Sequence, residues 1–120
     1  MQDHRQLDVW HRAMAYATDV YKFTSGLPVE ERYNLMIQIR KAVVSVPLNI
    51  AEGAGATTGA EFSRFLGYAY RSAKEVVTCL ELCQRLYPEV GASTRPALID
   101  EGEQIARMTR ALMQRLNTPH

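Results

Sequence analysis

Apolar side chains recur along this chain at steps of three and four residues, the spacing of one helical face, in four separate stretches. The first spans 7–24, where Trp10, Met14, Ala17, Val20 or Tyr21, and Thr24 form a stripe beside a polar face of Arg12, Asp19 and Lys22. Asp8 is placed to cap its start. Ser25 and Gly26 supply a break, and Pro28 followed by Glu30 and Glu31 suits the opening turn of a second helix, because its free amides favour carboxylates and lose nothing to proline. That helix is predicted over 28–53 along Tyr33, Ile37, Arg40 with Lys41, Val44, Pro47 or Leu48, and Ala51, with Met36, Val43 and Ile50 widening its stripe. Pro47 withholds an amide and disfavours helical geometry at the residue before it, so a kink or local break near Val46 is expected.

The stretch GAGATTGAEF then interrupts the pattern, and Thr58 with Glu61 has the spacing of a reciprocal capping box. The helix it opens is predicted over 58–87. Phe62, Phe65 with Leu66, Ala69, Ala73, Val76 with Val77, Leu80, Cys83 and Leu86 with Tyr87 give it the longest stripe in the chain. Pro88 and Gly91 end it, and Ser93 or Thr94 with Pro96 starts a fourth helix over 94–116, its inward positions read as Leu98 or Ile99, Ile105, Leu112 and Leu116. Gly102 weakens the early half of that helix. Isolated amphipathic helices are marginal in water, whereas four stripes turned inward bury one another. The fold expected is therefore all-α: one domain over 1–120, an antiparallel up-down-up-down four-helix bundle. Its 120 residues and 47% apolar content are ample for a single core.

Charge narrows the function. Fourteen Lys and Arg against thirteen Asp and Glu leave a net charge of +1, far from the basic excess of a protein that grips phosphate backbones unspecifically. The opening MQDHRQLDVW has no basic segment leading into an apolar run, and no stretch is apolar enough to span a bilayer, so a cytoplasmic location without membrane attachment is expected. Cys79 and Cys83 lie four apart on one predicted helix, where they read as core residues rather than a redox or metal pair. His4, His11 and His120 are scattered and read as surface groups; neither a di-iron E-x-x-H motif nor a phosphate-loop pattern occurs. No catalytic, cofactor or metal constellation emerges, and the chain is read as noncatalytic.

The motif QIRKAVVSVPLNIAEG, with LDVWHRAM before it and EFSRFLGYAYRSAKEVVTCLELC after it, resembles the bacterial four-helix-bundle family encoded in 23S rRNA intervening sequences. The matching positions include Gln38, Arg40, Ser45, Pro47, Asn49, Glu52 and Gly53, followed by Glu61, Phe62, Phe65, Ser72 and Glu75. The resemblance implies a compact helical subunit. Through similarity to the accessory variability protein of diversity-generating retroelements, it also implies a barrel-like homopentamer. Asn49 and Glu52, one helical turn apart beside Pro47, read as structural groups that satisfy backbone or arginine at an irregular turn.

Two functions of different class follow. The leading one is a noncatalytic, self-assembling scaffold or adaptor for a protein client, without cofactor. The other is an RNA- or DNA-binding accessory protein. Its basic contacts would be Arg40, Lys41, Arg64, Arg71 and Lys74, gathered on one subunit edge and repeated by assembly, together with Arg107, Arg110 and Arg115. The last three equally suit ordinary capping and solvation at the negative end of the fourth helix.

Overall fold

The computed structural model describes residues 2–117; Met1 and residues 118–120, the histidine at the C-terminus among them, lie outside the description. Four helices carry it: α1 Asp8–Thr24, α2 Leu35–Ala54, α3 Gly59–Leu86 and α4 Arg95–Leu116. Two short 3-10 turns, His4–Gln6 and Val29–Glu31, precede α1 and α2, and no strand occurs among the described residues. Each helix packs against the next in sequence and α4 returns to α1, closing a cycle of four neighbours. The long dimension of 50 Å is set by α3, whose 28 residues extend about 42 Å at ~1.5 Å per residue. No helix of the described residues is long and apolar enough to cross a membrane.

Helix α3 buries most of the stripe expected of it, with Phe62, Leu66, Ala69, Ala73, Val76, Leu80 and Cys83 in the core, while Phe65 and Tyr87 are half-buried and Leu86 is exposed. Thr58 caps its start by accepting from the Glu61 amide at 3.1 Å. The reciprocal half of the capping box does not form, because the Glu61 carboxylate takes the Arg64 guanidinium at 2.5 Å instead. Asp8 likewise does not cap α1; it lies inside the first turn, where a carboxylate still favours the exposed amides.

Three expectations for α2 need correcting. The helix starts at Leu35 rather than at Pro28, because Glu31 turns inward and its carboxylate accepts from the Asn34 side chain and the Leu35 amide. The backbone at Asn34, with φ −133° and ψ −100°, separates the 3-10 turn from the helix. The break near Val46 does not occur: α2 is unbroken through Pro47. An interior proline costs about 3 kcal/mol, because it withholds the donor of the carbonyl one turn back, here that of Val43; Pro47 is itself buried, and two residues on Asn49 Nδ2 donates to the Ser45 carbonyl at 2.8 Å.

The third correction concerns faces, and α1 shares it. The core side of α1 is Val9, Ala13, Tyr16, Val20 and Phe23, and that of α2 is Ile39, Val43, Val46 and Ile50. Of the expected stripes, Val20, Thr24, Val43, Pro47 and Ile50 are buried, Trp10 is half-buried against the core, and Met14, Tyr21, Ile37 and Leu48 are exposed.

Glycine contributes by close approach at two places. Gly91 has φ +58° and sits where a Cβ would lie 2.6 Å from the Phe23 ring, so the turn before α4 folds flat onto α1. Arg95 fixes that turn from beneath, donating to the carbonyls of Val90 at 2.7 Å and Pro88 at 3.1 Å. Gly102 is buried within α4, and its missing side chain makes room for the buried Tyr16 hydroxyl and for Val77.

A Cβ at Gly102 would stand 2.5 Å from the Tyr16 hydroxyl and 2.6 Å from Val77. Gly102→Ala is therefore expected to lose about 1–3 kcal/mol by overpacking, despite alanine's better helix propensity. Gly59→Ala, where a Cβ meets nothing within 4 Å, is expected to leave stability unchanged or slightly raised. Urea unfolding of both variants checks the contrast.

Candidate functional site

The residues of the central motif meet along the outer seam between α2 and α3. The Ser72 hydroxyl donates to the Ser45 hydroxyl at 2.9 Å, Asn49 Nδ2 donates to the same hydroxyl at 2.8 Å, and Gln38 Nε2 donates to the Glu75 carboxylate. At the far end Gly53 admits α3, since a Cβ there would lie 2.9 Å from the Phe62 ring and 3.0 Å from Phe65. Ser45 is thus occupied in a helix-to-helix bond, with no base beside it to make it a nucleophile. Glu52 points outward and shares no hydrogen bond with Asn49 among the described residues.

Arg40 belongs to the α1–α2 junction. Its Nε donates to Thr24 Oγ1 at 2.8 Å, and a terminal nitrogen reaches Ser25 Oγ at 3.2 Å and the Tyr21 carbonyl at 3.3 Å. The guanidinium also lies 4.4 Å from the centre of the Tyr21 ring. A fixed cation at the carbonyl end of α1 is favourable through the helix dipole, and these bonds hold it there.

The remaining basic residues do not gather on one edge. Lys74 faces α4, paired with Glu103 at 2.9 Å, while Arg40 faces α1. Arg64 and Arg71 share α3, their guanidinium groups 5.7 and 5.3 Å from the centre of the Tyr68 ring, and Arg64 also donates to the Tyr68 hydroxyl at 3.0 Å. Lys41 on α2 and Arg107, Arg110 and Arg115 on α4 are exposed. The edge foreseen from sequence fails because helical register sends Arg40 and Lys74 into different seams.

The least expected feature is an apolar face on α1 and α2. Trp10, Met14, Ala17 and Tyr21 from α1 and Val44, Pro47, Leu48 and Ala51 from α2 line an open furrow of about 730 Å³. Met14 is 45% exposed and Leu48 59%, and Ile37 continues the ridge at 51%. Patches of this kind mark interaction surfaces on soluble proteins. The sequence carried a signal for it: both helices have apolar residues in adjacent pairs, such as Val9–Trp10, Ala13–Met14, Val43–Val44 and Ile50–Ala51, too many for one inward stripe.

A family model described as the 23S rRNA-intervening sequence protein matches residues 5–111. The chain belongs to this family. Among solved structures, a protein of unknown function from Bacteroides thetaiotaomicron, described as of the S23 ribosomal protein family, shares the fold. It superposes with a TM-score of 0.75 at 22% identity, covering 92% of this chain and 99% of its own. No curated protein matches. The family match and the shared fold agree with the resemblance carried by the α2–α3 motif.

In this family member one buried polar cluster joins three elements at the end where α2 begins. Glu31, 8% exposed, accepts from the Tyr87 hydroxyl as well as from Asn34 and Leu35. These donors, Tyr87 foremost, hold its carboxyl below the ordinary value of 4.5, and the same bond pushes the Tyr87 phenol up to about 12. Behind them Cys83 and Cys79 are free and buried, and burial pushes the Cys83 thiol up to about 11, which keeps it an unreactive core group.

A carboxyl with a lowered folded-state pKa adds stability above its unfolded value and loses it as pH falls through the folded one. Glu31→Gln is therefore expected to be less stable than the parent at pH 7, with the gap narrowing below about pH 4.5 and closing once Glu31 is protonated in both states. Denaturant midpoints from pH 7 to pH 2.5 check this; a pH-independent gap would assign the loss to packing alone.

Proposed function

We propose that this chain is a noncatalytic, self-associating helical subunit that serves as a scaffold or adaptor. The observation that carries the reading is the α1–α2 furrow: large apolar side chains stand exposed there while the core beside them is complete. Leaving Met14, Tyr21, Ile37 and Leu48 in water costs free energy that covering them recovers, at roughly 25 cal/mol per Å². Short connections, four residues between α2 and α3, support an up-down-up-down course. Similarity to the retroelement accessory protein supports a barrel-like homopentamer. Two free cysteines fit the reducing cytoplasm.

Light scattering coupled to size exclusion is expected to give a mass near five protomers at low micromolar concentration. A mass that stays at 13.6 kDa across concentration and salt would end the self-association reading.

A second reading, contact with RNA or DNA, is favoured by one observation: two exposed arginines of α3, Arg64 and Arg71, stand close to the half-buried Tyr68 ring. Aromatic rings beside guanidinium groups suit unpaired bases. Titration with single-stranded RNA and DNA across a salt series is expected to show weak, salt-sensitive binding that Arg71→Glu removes. Absence of binding at low salt would dismiss this reading.

A further inference from the structure

We propose that the α1–α2 face receives helix α4 of a second copy of this chain, running in the same direction. The inference rests on the self-association proposed above and names the two surfaces that meet. The furrow carries charge at its ends rather than along its length. Lys22 and Lys41 stand exposed where α1 ends and α2 begins, and Glu52 stands exposed at the opposite end of α2. None of the three side chains makes a hydrogen bond or an ion pair among the described residues.

Helix α4 is polarised to match. Its early half holds the exposed Asp100 beside Glu103, which is already paired with Lys74, its later half the exposed Arg107, Arg110 and Arg115, and no acidic residue follows Glu103. Contacts inside the protomer fix the relative levels of these groups. Ser45 meets Ser72 and Lys74 meets Glu103, which sets the Lys41 end of α2 level with the acidic half of α4. Gly53 meets Phe62 and Gly67 meets Met113, which sets the Glu52 end level with the basic half.

Two copies standing side by side in one direction, with α4 of one against the furrow of the next, therefore bring acid over Lys41 and arginine over Glu52 together. Turning the second copy end for end would set like charges against each other at both ends, at a cost that specifies direction. The Arg107 and Arg110 stems can lie on the apolar furrow while their heads reach its rim, and Trp10 offers a ring to a guanidinium. The furrow and the exposed side of α4 are different surfaces of the bundle, so the contact is head-to-tail and repeats around a closed ring. A polyanion, by contrast, satisfies only the lysine end and is repelled by Glu52.

The test is the mass of the full-length chain by light scattering across a dilution series, with far-ultraviolet circular dichroism as the folding control. Glu52→Lys and Arg110→Glu are each expected to raise the concentration at which the assembly dissociates by roughly ten-fold. The double variant, which restores an opposite pair, is expected to recover most of that loss. Leu48→Glu, at an exposed position in the middle of the face, is expected to yield protomers of unchanged helicity. An assembling parent chain whose single variants assemble equally well, or whose double variant is no better than the singles, overturns the inference and leaves self-association standing. A parent chain that is a protomer at every concentration removes both.

Discussion

Helices α1 and α2 each carry two apolar stripes about one residue apart, and the bundle has room for only one of each. On α1 the pairs are Val9–Trp10, Ala13–Met14, Tyr16–Ala17 and Val20–Tyr21; on α2 they are Val43–Val44, Pro47–Leu48 and Ile50–Ala51. Neighbouring residues on a helix lie about 100° apart, so hydrophobicity alone leaves the rotation of each helix poorly determined. Polar contacts determine it instead. On α2, Arg40 is held at the end of α1 while Gln38, Ser45 and Asn49 are engaged along the α3 side. Rotating α2 by one residue to bury Val44 and Leu48 would break both sets, and each of these half-exposed bonds contributes about 0.5–1.5 kcal/mol. The central motif is thus the device that fixes which stripe is core and which is surface.

This explains how far the sequence was legible. Helix α3 could be read nearly throughout, up to the exposed Leu86 at its end, because its apolar residues form one dominant stripe and Thr58 marks its start. The count of four helices and the core cysteines followed with it. The faces of α1 and α2 could not be read, because choosing between adjacent stripes needs the partners of Arg40 and Ser45, which lie 16 and 27 residues away in the chain. The start of α2 was misplaced for a related reason. Pro28 and two glutamates form a sound local start signal, yet Glu31 is drawn inward by Tyr87, 56 residues on. Gly102 illustrates the same limit: within its helix it is only a weak link, and its use becomes visible once Tyr16 and Val77 stand opposite.

The candidate interaction surface was legible only as a surplus of apolar residues. Its residues were named from the sequence as inward positions; Met14, Tyr21 and Leu48 are exposed instead, while Trp10, Ala17 and Val44 lie half-buried between core and furrow. The basic residues show the complementary error. They were assigned to one edge by type, whereas register distributes Arg40, Arg64 with Arg71, and Lys74 over three parts of the molecule, each already supplied with a partner.

A net charge of +1 conceals this arrangement. Ion pairs such as Arg12 with Glu101 at 2.5 Å and Lys74 with Glu103 at 2.9 Å cancel charge between helices, close enough to resist screening better than isolated surface charges. What is left over is not spread evenly: acid precedes base along α4, and lysine precedes glutamate along the outer side of α2. A near-neutral total with opposite ends is a poor design for holding a uniform polyanion, whose affinity grows with the number of phosphates neutralised. It is a sound one for choosing the direction of a neighbour, because a reversed partner is opposed at both ends of a face whose apolar middle accepts either orientation.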